Sequence, residues 1–159
     1  MTSETSPITL LIEASKQDSF ETFADHMAQA MLFPEKRDNR RFAMDKAIKT
    51  GLPDGLFIEL GVAAGNGCRL FGKMLRGTDK IVTGFDSFEG LQEDWTGVQS
   101  GRTAGSFNQD GVFPKVPDNV TLVKGWVQDT LPGYLKQTGT APFSFIHMDM
   151  DTYTPTLFA

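Results

Sequence analysis

The chain has 159 residues, 40% hydrophobic and 22% charged, which suits one globular domain with a sizeable core. Its formal net charge of −5 argues against a nucleic-acid backbone as the main partner, since that role needs a concentrated basic surface. No apolar run approaches the roughly 20 residues needed to cross a bilayer. The single cysteine, Cys68, excludes an internal disulfide and a multi-cysteine zinc site.

The start, "MTSETSPITLLIEASKQDSF", lacks the basic stretch of a secretory signal, so a cytoplasmic location is the default expectation. Residues 1–7 are polar and end in Pro7, which predicts a loose leader. "DSFETFADHMAQAMLF" then puts Phe20, Phe23, Ala24, Met27 and Met31 on one helical face, with Asp18 or Ser19 as cap, and predicts that this stripe enters the core. "KRDNRRFAMDKAIKTG" predicts a second amphipathic helix stopping near Gly51. Its cluster Lys36, Arg37, Arg40 and Arg41 reads as a solvated face. Residues 1–54 are therefore expected to form a leader and helical cap.

The pattern changes at Gly55. "GLFIELG", "KIVTGFD", "NVTLVKG" and "PFSFIHMDMD" are four strand candidates, with helical stretches in "NGCRLFGKMLRG" and "TLPGYLKQTG". Strands alternating with helices predict a parallel α/β sheet over residues 55–159. "SFEGLQEDWTGVQSGRTAGSFNQDGVFPKVP" is a long polar, glycine-rich excursion that reads either as a lid over a ligand or as a variable surface loop.

"FIELGVAAGNGCRLF" carries the densest chemical signal. Glu59 and Gly61 end the first strand, and Gly65 and Gly67 permit a tight turn close to a bound molecule. Ala63 and Asn66 stand where a dinucleotide fingerprint needs glycines, which disfavours a nicotinamide oxidoreductase, and no Gly-Lys-Ser or Gly-Lys-Thr follows to make a P-loop. A nucleoside or amino-acid-bearing ligand suits the turn better than a diphosphate. Asp86, ending the second strand, is placed to accept both hydroxyl hydrogens of a ribose.

In "FSFIHMDMDTY", Phe143, Phe145, His147, Asp149 and Asp151 share one strand parity, so persistent extension would aim both carboxylates to one side. Acids at the end of a parallel strand are poor core residues and suit a divalent metal or a shared proton. Asp149 is the base candidate for proton removal from a hydroxyl, and Asp151 with Asp149 the metal-ligand candidates, in exchangeable roles. His147 reads as a supporting residue, and Tyr153 as one that shapes the acceptor site.

The acid, the two spaced glycines and the strand-two acid make the chain resemble the class I S-adenosylmethionine-dependent methyltransferases. "GFDSFEGL", "VKGWVQDTLP" and "HMDMDTYTPT" resemble more narrowly the branch with the macrocin and mycinamicin sugar O-methyltransferases. The resemblance implies a Rossmann-like sheet preceded by two helices and truncated after its fourth strand, because a complete family sheet has more strands. It implies S-adenosylmethionine as cofactor and O-methylation of a small hydroxylated acceptor, with sugars and glycosylated metabolites among the candidates. By the same resemblance Glu59 orients the methionine ammonium or the turn, and Gly61, Ala63 and Gly65 line the methionine part. Asp86 takes the ribose, Ser87 and Phe88 flank ribose or adenine, Trp126 and Val127 lie near adenine, and Gln128 and Asp129 stand at the rim. Trp126 also reads as simple core.

The branch's D-x-D pair matches Asp149 and Asp151 and implies Mg²⁺, with further acidic ligands from a later region that this sequence does not contain. "TPTLFA" predicts the first turn of a following helix. A fragment of a longer enzyme, a short relative completed by a homo-oligomer over the open sheet edge, and a noncatalytic cofactor-binding remnant are the three readings this leaves.

Overall fold

The computed structural model describes residues 6–95 and 101–159. It divides into a unit ending at Lys36 and a unit spanning Arg37–Ala159. Five helices appear among the described residues: α1 (Pro7–Gln29), α2 (Lys36–Thr50), α3 (Asn66–Met74), α4 (Val127–Thr138) and α5 (Tyr153–Phe158). The strands are β1 (Leu56–Leu60), β2 (Val82–Asp86), β3 (Val120–Lys124) and β4 (Phe143–Met148).

α1 differs from the expectation in extent and in burial. Ser6 accepts a hydrogen bond from the Ile8 N–H, and Pro7 supplies a pre-set φ at the first helical position, so the helix starts well before Asp18 or Ser19. The leader expected over residues 1–7 thus ends at the cap, and residues 1–5 lie outside the described residues. No α1 residue is buried, and Phe20, Phe23 and Met31 are each more than half exposed. Periodicity marks a face fit for burial, but burial also needs a surface that covers it.

In the second unit all strand pairs are parallel, in the order β3-β2-β1-β4. Buried residues alternate between its two faces, as the period of two requires. Phe57, Val82 and Phe145 pack with Met44 of α2 and with Cys68, Phe71 and Leu75 from α3 and the residue after it. Ile58, Leu60 and Phe85 pack on Val127 and Leu131 of α4. The helix α2, expected within a cap over residues 1–54, therefore contributes to the sheet's own core through fully buried Met44. This is the Rossmann-like arrangement that the sequence implies.

α4 starts three residues before the helical stretch expected in "TLPGYLKQTG" and runs through Pro132. A proline lacks one N–H and disrupts the helix locally, and burial of Val127 and Leu131 on the sheet offsets that loss. β4 is an edge strand, with Ile146 and Met148 about half exposed. Among the described residues, no helix is long and apolar enough to cross a membrane.

Candidate functional site

A cleft opens beyond the carboxyl ends of the strands, where parallel α/β sheets bind ligands. Its first wall is the turn after β1. Gly61 has φ 89°, and a Cβ there would overlap the Asp149 carbonyl oxygen and sit 2.7 Å from its carbon. Glycine lets the chain leaving β4 cross this closely, and the Asp149 N–H donates to the Leu60 carbonyl at 2.8 Å.

Asp86 organises the turn. Its Oδ2 accepts from the Val62 and Ala63 N–H groups, each at 2.7 Å, and its Oδ1 from the Phe88 N–H at 2.6 Å. Ala63 and Phe88 have φ of 44° and 58°, conformations that non-glycine residues rarely adopt without such support. An ionised carboxylate offers about four lone-pair positions. Three are used in this way, so Asp86 can support the turn and still accept from a ligand hydroxyl.

Of the residues predicted to bind cofactor, Gly61, Ala63, Asp86, Ser87, Trp126 and Val127 line the cleft, together with Gln128. Glu59, Gly65, Phe88 and Asp129 do not line it. Gly65 caps α3, Phe88 is buried in the core, and Asp129 is exposed in the first turn of α4. Glu59 is buried under the turn, with its Oε1 3.0 Å from His147 Nδ1. The His147 ring also meets Phe71 edge-on, centroids 5.3 Å apart, in keeping with a supporting role. A Cβ on Gly67 would overlap the Glu59 carboxylate, so glycine lets α3 start directly over that acid. Beside it, burial and then the Glu59 charge push the Cys68 thiol far above its ordinary range.

Asp149 and Asp151 both line the cleft, but not by strand parity. β4 ends at Met148, Asp151 has φ 63°, and the Thr152 N–H bonds to the Met150 carbonyl at 2.7 Å. A tight turn brings the two acids to one place after the alternation has stopped. Sequence reading also missed Arg40, whose Nη2 lies 2.6 Å from Asp149 Oδ2. The solvated face assigned to its cluster therefore fails at this residue. The two partners are 109 residues apart, and no spacing rule signals such a pair.

The magnesium expectation fares poorly on donor chemistry. Mg²⁺ demands near-octahedral oxygen coordination. Asp149 is engaged by a guanidinium, and among the described residues no group of three or more His, Cys, Asp or Glu is placed to hold a metal ion. The described residues thus do not by themselves form the expected site.

The excursion after β2 supplies Leu91, Gln92 and Phe107 to the cleft wall; its residues 96–100, part of the proposed lid, lie outside the described residues. Glu93 ties it to α5 by accepting from the Thr154 N–H and hydroxyl, each at 2.8 Å. The backbone N–H and then the hydroxyl hold the Glu93 carboxyl below its ordinary value of 4.5. A depressed pKa stabilises the tie above 4.5, and that contribution is lost as pH falls through the folded-state value. The protection of the Thr154 amide, the slowing of its exchange relative to that of an unstructured amide at the same pH, should therefore fall on acidification below 4.5, and Glu93→Ala should show the low protection already at neutral pH. Unchanged exchange in the variant would show that the tie does not hold the segment.

Residues 58–159 match a family model described as a methyltransferase domain. The chain belongs to this methyltransferase family. Among solved structures it is similar to the O-methyltransferase NovP, with 26% identity and a TM-score of 0.55, over 76% of this chain and 55% of NovP. It shares its fold with CalS11, a calicheamicin methyltransferase, at 20% identity and a TM-score of 0.55, covering 96% of this chain and 71% of CalS11. The chain thus spans little more than half the length of NovP. No curated protein matches it. Within the family's fold the glycine turn, Asp86 and the two acids after β4 surround one cleft, which is the candidate active site.

Proposed function

We propose that this methyltransferase-family chain binds S-adenosylmethionine and serves O-methylation of a small polyhydroxylated molecule, such as a sugar or glycosylated metabolite. The observation that carries the reading is the junction of Asp86 and the glycine turn with Asp149 and Asp151 around a single cleft. When bound, the cofactor would supply a methyl group on a sulfonium, from which attack by an oxygen nucleophile at the methyl carbon displaces the neutral thioether.

The residues divide the work by chemistry. Asp86 accepts a ribose hydroxyl from the floor of the turn, while Trp126 and Val127 give an apolar wall for the adenine. At the far end of β4 a carboxylate takes the proton as the acceptor oxygen bonds to the methyl carbon and the carbon–sulfur bond breaks. Asp149 is assigned that proton, with Asp151 beside it. The acidic lining also favours a sulfonium electrostatically.

Calorimetry with S-adenosylhomocysteine tests the first step, and absence of binding would remove the proposal. Asp149→Asn should lower turnover by about 100-fold or more, the usual share of a general base. S-adenosylhomocysteine affinity should fall much less than turnover does, because the assigned role lies in proton removal. Equal losses in both would contradict the assignment. The engagement of Asp149 by Arg40 favours a second reading, a noncatalytic cofactor-binding domain. Tight binding without transfer to any hydroxyl acceptor would support it.

A further inference from the structure

We infer that Arg40 binds the carboxylate at the amino-acid end of S-adenosylmethionine, an inference that rests on the cofactor reading above. The cleft wall carries the acids Asp86, Asp149 and Asp151, and among the described lining residues there is no Lys, Arg or His. That lining suits the ligand's ammonium and sulfonium. Its carboxylate meets like charge there and needs a strong donor.

The glycine turn, the usual source of anion-binding amides, has committed four of the five N–H groups of residues 61–65 elsewhere. Gly61 donates to the Phe85 carbonyl at 2.9 Å, Val62 and Ala63 to Asp86, and Gly65 to the Val62 carbonyl at 2.8 Å. The start of α3 is a poor substitute, because the buried Glu59 carboxylate already lies directly against Gly67. A second anion at that helix end would face the first.

Arg40 supplies what is missing. Its side chain is 23% exposed, and Asp149 holds it through Nη2 at 2.6 Å. Asp149 is itself fixed to the turn through Leu60 and through its close passage over Gly61. The guanidinium is thereby held against a residue that lines the cleft. A guanidinium carries five N–H donors in a planar fork, so one contact with Asp149 is compatible with a second carboxylate. The Asp149 side chain is 47% exposed, and an ion pair so exposed contributes little to folding. Support of the fold is therefore a weak explanation for the pair.

The test compares two ligands by calorimetry: S-adenosylhomocysteine, and 5′-methylthioadenosine, which has no amino-acid end. Arg40→Gln should weaken S-adenosylhomocysteine by about tenfold or more, as expected for loss of a charge-assisted bidentate contact, and leave 5′-methylthioadenosine unchanged. Arg40→Lys should recover part of the difference. Equal weakening of both ligands, or no weakening of either, would overturn the role of Arg40. Failure of the unaltered protein to bind either ligand would instead overturn the cofactor reading, and this inference with it.

Discussion

Gly61→Ala should destabilise the sheet unit by about 2 to 5 kcal/mol, a sum of two independent penalties. The first is conformational: at φ 89° an L-residue meets a clash that glycine avoids, roughly 1–2 kcal/mol. The second is steric. The added methyl overlaps the Asp149 carbonyl, a backbone group that cannot rotate away and is anchored to Leu60. Overpacking of this kind costs about 1–3 kcal/mol. Gly77→Ala separates the two, since Gly77 has φ 86° and a methyl added there would meet no atom within 4 Å. Urea titration should show Gly77→Ala losing only the conformational part. A Gly61→Ala midpoint no lower than that of Gly77→Ala would mean that the crossing of β1 and the chain leaving β4 is loose enough to admit a methyl. The same substitution displaces Asp149, so it should also impair the cleft.

Much of this architecture was legible because each signal was local. The four strands read as apolar runs ended by Gly or Asp, which is how buried parallel strands must look. The turn after β1 was legible because Gly61 and Gly65 both adopt positive φ, for which glycine is the default residue. Asp86 followed from its place at the end of β2, although its three bonds to backbone amides do not, since they depend on how the turn folds back. Other features were set by tertiary structure. The α1 stripe has the right period and buries nothing. Asp149 and Asp151 reach one cleft through a turn with positive φ rather than by strand alternation. Arg40 lay hidden within a basic cluster, and only the packing of α2 on the sheet through Met44 brings it to an acid 109 residues away.

Asp86→Ala should have the largest effect on binding, weakening S-adenosylhomocysteine by at least about tenfold through the lost ribose contact and further through the loosened turn. One hydrogen bond from a ribose hydroxyl to the remaining lone-pair position of the carboxylate is worth about 1.5–3 kcal/mol, and about 1.4 kcal/mol is a factor of ten. The variant also leaves the Val62, Ala63 and Phe88 amides without their acceptor, at about 1–3 kcal/mol for each that stays buried. Loss of binding alone would therefore not distinguish ribose recognition from collapse of the turn. Asp86→Asn is the sharper variant, because its remaining oxygen can serve Val62 and Ala63 while its NH₂ group opposes the Phe88 N–H. Pairing it with a cofactor analogue that lacks the ribose hydroxyls makes a double-mutant cycle. If Asp86 reads the ribose, the unaltered protein should discriminate strongly against the deoxy analogue and Asp86→Asn should discriminate much less. If it only supports the turn, both ligands should weaken by the same factor, and ribose recognition would have to be assigned elsewhere in the cleft.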